Sequence, residues 1–272
     1  MSTIARTLDE ALAPITDGCM LAAARKLGRG HGGDASAGPA RRQAAAPDHT
    51  AHVELAGGPS DSAPAALRRW IPPVSASASS GRRRVFRRRQ FPVRSTCATP
   101  RARRYTRSFQ AAEKGVPFMP LRGLIGSDVL AHRPDWKIFD NPFGSDDPIV
   151  LLPALKPDVV LFHAALADRT GNVFIGTQRE LVAMAHAAQK TVVTVEKIHE
   201  GDLLRDPLLA AGTLPGFYVE AVALEPRGSW PLPLPDHYGI DAVHLAEYAR
   251  LAATSEGFAD YLLRYVYERR AA

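Results

Sequence analysis

The sequence is short of the features that mark secreted, membrane-spanning or metal-binding chains. Two cysteines in 272 residues, Cys19 and Cys97, cannot make a disulfide framework, which fits a reducing compartment. No apolar run approaches the ~20 residues that cross a bilayer. The opening MSTIARTLDEALAPITDG holds no apolar core of signal-peptide length. The expectation is a cytoplasmic protein without a membrane partner. No two histidines have the spacing of a zinc-binding helix and neither cysteine has a ligand partner close in sequence, so no metal is expected. Lysine is missing altogether from residues 29–108, which carry 16 arginines and only 4 acidic residues. The rest of the chain holds 18 basic and 24 acidic residues, so the net charge of +6 comes from a basic stretch inside an otherwise acidic protein.

An apolar fraction of 46% suffices for a substantial core. Residues 3–23 read as ordinary folded sequence. Leu8, Leu12 and Ile15 share one face of a short helix ending at Pro14–Gly18, and Cys19–Ala24 resembles the start of a buried strand. From Arg29 the composition turns to Ala, Arg, Pro, Ser and Gly, and neither the helical nor the strand period survives. Too little apolar surface is available there to offset chain entropy, so residues 29–105 are expected to be disordered or misfolded. Three readings of this stretch stand side by side. Arg82–Arg84 and Arg87–Arg89, with Phe86 and Phe91, could form a nucleic-acid-binding arm over residues 82–107. The stretch could be an insertion without a role. It could also be translated out of frame from a GC-rich coding sequence, which would give arginine without lysine; this reading leaves nucleic acid an unexpected partner.

Periodicity returns at Phe109. Ile149–Pro153, Asp158–His163, Asn172–Ile175, Thr191–Val195 and Phe217–Leu224 read as strands. Leu181, Met184, Ala185 and Ala188 fall on one helix face, and Phe258, Tyr261, Leu262, Tyr265 and Val266 form another helical stripe. Strands alternating with helices predict an α/β fold. The domain reading is 1–28 as an N-terminal remnant, 29–108 as the low-complexity segment and 109–272 as the α/β domain. Glu196 and Glu200, flanking His199, read as a solvated loop in preference to acid–base machinery, and His163 at a strand end carries no metal pattern.

Consecutive blocks, GVPFMPLRGLIGSDVL (115–130), Asn141-Pro142-Phe143, DPIVLLP (147–153), PDVVLFHAALADRTGNVFI (157–175), TVVTVEKI (191–198) and PGFYVEA (215–221), resemble in order the A (alpha) subunit of family I CoA-transferases such as the glutaconate and 3-oxoacid enzymes. The resemblance covers about residues 110–268. It implies a CoA-transferase-type open, mostly parallel sheet with helices on both faces. It also implies an activity: moving CoA between small carboxylic acids through a glutamyl-CoA intermediate. In two-subunit members the nucleophilic glutamate lies in the B subunit within a Ser-Glu-Asn-Gly stretch, which this chain lacks. No catalytic residue is therefore expected here. The implied partner is a B subunit, in a heterodimer or heterotetramer, and the CoA thioester is a substrate, not a permanently bound cofactor. A ring-opening CoA-thioester hydrolase is the alternative within the fold. The family's Gly-Gly-Phe turn does not follow Asp17-Gly18; Gly32-Gly33 lies later and without phenylalanine. Loss of that turn and its strands would leave the chain inactive. The candidate site residues for CoA or carboxylate are Arg122, Gly123, Gly126, Ser127 and, at a turn, Asn141.

Overall fold

The computed structural model describes residues 3–5, 7–16, 19–24, 51–55, 102–127, 130, 133–234, 236–252 and 254–267. Their main feature is an open sheet in the order β1 (Thr3–Ile4), β11 (Ala221–Leu224), β9 (Lys190–His199), β7 (Val159–Asp168), β2 (Met20–Ala24) and β3 (Ala51–Leu55). The four pairings from β1 to β2 are parallel, and only β3 runs antiparallel, on the far side of β2. Two short strands, β8 (Val173–Phe174) and β10 (Thr213–Leu214), extend β7 antiparallel at its end. This is the α/β, mostly parallel sheet expected from the alternation of elements.

The continuous apolar strands work because both sheet faces are covered. Along β7, Val160 and Phe162 join one core with Val193, Val222 and Ala22. Val159 joins the other with Val192, Leu21, Ala221 and Ala223. The first core is closed by α2 (Ala102–Glu113) through Phe109 and by α3 (Arg179–Ala187) through Leu181 and Met184. The second is closed by α1 (Leu8–Leu12) through Ala11 and Leu12, with Ile15 beyond it. The Thr7 side chain caps α1 by accepting from the Glu10 amide at 3.2 Å, relieving one unpaired donor of the first turn.

A second, three-stranded antiparallel sheet has the order β4 (Phe118–Leu121), β6 (Pro148–Pro153), β5 (Lys137–Asp140). Its own small core is Trp136, Val150 and Leu152. After β11 the chain forms an arm of tight turns followed by α4 (Ala242–Leu251), α5 (Ser255–Leu262) and a π-turn over Leu263–Tyr267. Trp230, His244, Tyr261 and Tyr265 pack against one another, tilted or edge-on, within this arm.

Several expectations are corrected. Phe217–Leu224 is not one strand: Gly216–Tyr218 is a 3-10 turn with Phe217 exposed, and pairing begins at Ala221. Disorder across 29–105 gives way at Ala51–Leu55, which is a strand paired with β2, and at Ala102, where α2 begins. In both places the partner is tertiary, which composition alone does not reveal. Gly30–Gly33, Arg82–Arg84 and Arg87–Arg89 lie outside the described residues. Among the described residues no helix is long and apolar enough to cross a membrane.

Candidate functional site

Antiparallel pairing in the small sheet gathers residues far apart in sequence. Leu121 at the end of β4 opposes Val150, and Asp140 at the end of β5 opposes Pro148. The residues just past β4 and β5 therefore flank the residue just before β6. Arg122 donates from Nη2 to Asp147 Oδ2 at 2.6 Å, and Asn141 Nδ2 donates to the same oxygen. Asn141 Oδ1 accepts from the Phe143 amide at 3.0 Å, which turns the chain there. Arg122 and Asn141 are thus brought together, with Asp147 between them. Sequence reasoning missed Asp147; its signal was the Asp-Pro at the entry to β6.

Gly123 and Gly126 sit at φ +91° and +78°, in the region that excludes most side chains. A Cβ on either would meet nothing within 4 Å, so backbone conformation, not crowding, explains them. Leu124 between them also has positive φ, at 72°, which is strained for a bulky residue. Ser127 donates its hydroxyl to the Leu124 carbonyl at 2.7 Å. That hydroxyl closes the loop. The Arg122 side chain is 75% exposed and that of Asp147 28%, so their pairing is worth at most about 1 kcal/mol. A guanidinium held so loosely can exchange its partner for an incoming carboxylate or phosphate.

A second polar centre lies where β7 turns into β8. Asp168 is buried, and its Oδ1 accepts from the Thr170 amide, the Thr170 hydroxyl and the Asn172 amide at 2.9, 2.7 and 3.0 Å. Oδ2 accepts from Asn172 Nδ2 at 2.8 Å and from the Leu203 amide at 3.0 Å. Asn172 Oδ1 in turn accepts from the Gly216 amide. Burial alone would raise the Asp168 pKa, but the hydrogen bonds from Thr170, Leu203 and Asn172 outweigh it and hold the carboxyl below its usual range. This centre ties three loops together and leaves no lone pair for a ligand.

A third centre corrects the reading of Glu196. The strand from Thr191 continues through Glu196 to His199, and His163 lies inside β7 opposite Thr194. Glu196 Oε1 accepts from His163 Nε2 at 2.8 Å and from the Tyr238 hydroxyl at 2.7 Å, and Oε2 accepts from the Arg227 amide at 2.7 Å. The other His163 nitrogen meets Thr194 Oγ1 at 2.8 Å. Glu200, by contrast, is on the surface and pairs with Arg169 through two bonds of 2.9 Å. The missed signal was strand length: two paired strands of ten residues place a histidine opposite Thr194 and a glutamate two positions past it on the same face. No cluster of three or more metal-capable side chains occurs among the described residues.

Residues 98–225, from the approach to α2 to the end of β11, match the profile of the family described as Coenzyme A transferase. Over this stretch the chain is similar to the coenzyme A transferase family. Its relatives include the A chain of glutaconate CoA-transferase from Acidaminococcus fermentans, 32% identical over 177 residues, covering 59% of this chain and 55% of that one. The corresponding A chain of 3-oxoadipate CoA-transferase from Pseudomonas knackmussii is 33% identical over 163 residues, 58% of this chain and 55% of that one. The crystal structure of glutaconate coenzyme A-transferase from Acidaminococcus fermentans superposes with a TM-score of 0.55 at 29% identity, covering 60% of this chain and 56% of that one. The chain therefore spans about half the length of these CoA-transferase relatives. The family segment includes Arg122, Asn141 and Asp147, both polar centres on the large sheet up to Glu196, and the Gly216 amide, but not Tyr238.

Proposed function

We propose that this chain is the A-type half of a CoA-transferase and works with a separate B-type subunit that supplies the nucleophilic glutamate. The observation that carries the reading is the match, through residues 98–225, with relatives named as the A-type halves of CoA-transferases. The geometry supports it at one place. The loop Arg122–Ser127 offers an exposed guanidinium beside a turn of positive-φ residues. Such a corner suits the carboxylate of an acceptor acid or a phosphate of CoA. Arg122 would swap Asp147 for the ligand, while Asn141, fixed by its own turn, would keep Asp147 in place. Acyl-enzyme anhydride and glutamyl-CoA would form on the partner's glutamate, with no covalent role for this chain. A soluble cytoplasmic heteromer is the setting this reading requires.

The test is co-expression with a candidate partner carrying Ser-Glu-Asn-Gly, followed by an assay of CoA transfer from an acyl-CoA to acetate. Transfer by the pair and none by either chain alone is the expected result. Release of free CoA in the absence of any acceptor acid would instead establish a thioester hydrolase. Failure of the two chains to copurify, with no transfer, would remove this reading.

A further inference from the structure

The C-terminal arm, residues 226–267, meets the large sheet at the half-buried carboxylate of Glu196. Its two helices pack on each other and on the π-turn that follows. Its aromatic rings pack at a tilt among themselves: Trp230 lies 4.0 Å from His244, and Tyr261 lies 4.9 Å from Tyr265, centroid to centroid. Inside the arm, Trp230 Nε1 donates to Asp241 at 3.1 Å and His244 Nε2 lies 2.8 Å from the Tyr261 hydroxyl. Toward the sheet, the Arg227 amide and the Tyr238 hydroxyl donate to the two oxygens of Glu196. Tyr238 also accepts from the Ser229 amide at 3.1 Å, so the same phenol ties the first turn of the arm to the sheet. The backbone itself leaves the sheet at Glu225, whose amide donates to the Val195 carbonyl.

We propose that Glu196, backed by His163, is a proton-sensitive latch: as the ionised carboxylate beside a neutral imidazole it holds the arm on the sheet, and proton uptake at the pair releases the arm. The hydrogen-bond donors and the closeness of the arm's backbone both support this. Glu196 accepts three hydrogen bonds, from Arg227, Tyr238 and His163, and as an ionised carboxylate it can only accept. Protonation removes the charge that strengthens all three bonds, and the new O–H has only the second lone pair of Oε2 to occupy without displacing a donor. With Nε2 donating to Glu196, the neutral ring accepts at Nδ1 from the Thr194 hydroxyl. A second proton would occupy that nitrogen. It would turn Thr194 from donor to acceptor, under a roof made by the arm's own backbone: a Cβ built on Gly228 would lie 2.6 Å from Nδ1. The charge would be balanced by Glu196 alone, with His237 adding repulsion from the arm.

The charged and titratable groups around the pair act consistently. Burial pushes His163 below its ordinary value of 6.5, more than Glu196 pulls it up. Burial would raise Glu196, but the Arg227 amide, Tyr238 and His163 bring it below its ordinary 4.5. Burial and Glu196 push the Tyr238 phenol up to about 12, so it remains a donor throughout the physiological range. Arg227 also lies over the Tyr238 ring, its guanidinium carbon 5.9 Å from the centroid. Release of the arm would remove the Arg227 and Tyr238 donors that lower Glu196 and uncover the His163 ring that burial holds low, so both would bind protons more readily than with the arm docked. Docking is therefore strongest with both groups deprotonated, and weakens as pH falls through the lowered His163 value and then through the lowered Glu196 value. The latch does not depend on the proposed enzymatic activity.

The test is hydrogen exchange of the full chain followed by mass spectrometry, with protection factors corrected for the intrinsic pH dependence of exchange. Between pH 7.5 and 5, protection of peptides covering 226–252 should fall roughly tenfold. Peptides from β7 and β9 should keep theirs. Glu196→Gln should release the arm at pH 7.5 by roughly ten- to a hundredfold, the worth of a hydrogen bond to a charged group, and should flatten the pH response. Tyr238→Phe removes one donor and leaves the pair intact; it should weaken docking yet keep the pH response. If Glu196→Gln fails to fold, the wild-type and Tyr238→Phe profiles decide alone. Arm protection that is unchanged on acidification, or that falls in step with β7 and β9, overturns the latch.

Discussion

Two aspartates in the family segment make opposite use of the same carboxylate. Asp168 is 1% exposed and accepts from Thr170, Asn172 and Leu203. Asp147 lies at the rim of the small sheet, and one of its partners, Arg122, is 75% exposed. The Asp168 donors on Asn172 and Leu203 are buried and fixed by the fold, so releasing them would strand them without water. The Asp147 donors include a long cation already in solvent, for which water or another anion is a ready substitute. Difference in exposure of the donors, not in the acid, separates a structural centre from the proposed binding site.

The contrast should show most strongly at Asp168. Asp168→Ala should cost about 3–5 kcal/mol, because each donor left unsatisfied in the interior costs about 1–3 kcal/mol. Thermal denaturation would read this as a fall in Tm on the order of 10 °C. A variant that melts like the wild type would put Asp168 in the same class as Asp147. Acid should reproduce the same loss gradually. The carboxyl is held below its ordinary 3.8 in the folded state, so its contribution is present above that value and disappears as pH falls through the lowered one. Chemical denaturation of wild type and Asp168→Asn across pH 2–6 should converge at the acid end.

Arg122→Ala should do the reverse. Stability should change by no more than about 1 kcal/mol, as for exposed ion pairs. In the assembled enzyme, KM for the acyl-CoA or the acceptor acid should rise about tenfold or more, the worth of a charge-assisted hydrogen bond. An unchanged KM would move the anion site away from this loop. The smallest effect belongs to the loop itself. Gly123→Ala, at φ +91°, should cost about 1 kcal/mol from backbone strain, measurable as a shift in urea midpoint. Open space around the position leaves no clash to enlarge it.

The large sheet was legible because its strands are buried on both faces: DVVLFH and TVVTV announce themselves by unbroken apolar runs, as IVLLP does in the small sheet. Strand ends were not legible. β7 runs on past His163 to Asp168 and β9 past Val195 to His199, with polar residues that hydrogen bond inside. Glu196 therefore read as solvated when its donors lie 31, 33 and 42 residues away along the chain. Arg122 and Asn141 were found through the resemblance, but their meeting on Asp147 depends on the register of β4, β5 and β6, which no local pattern encodes. Phe217 misled for a related reason: an aromatic beside apolar residues looked like strand, while the segment turns so that Tyr218 can stack on His186 at 3.8 Å.

The alternation of β7 between two cores has an evolutionary consequence. Val159 and Val160 face different cores, and Val192 and Val193 do the same on β9. Substitution at any one of them disturbs one side only, and neighbours can compensate. Deleting a single residue between Val159 and Phe162 would instead exchange the two sets of side chains and carry His163 away from Glu196. Such strands are free to vary in spelling but not in length, so descent within this segment should be recorded as replacements, with insertions and deletions confined to the loops at its borders.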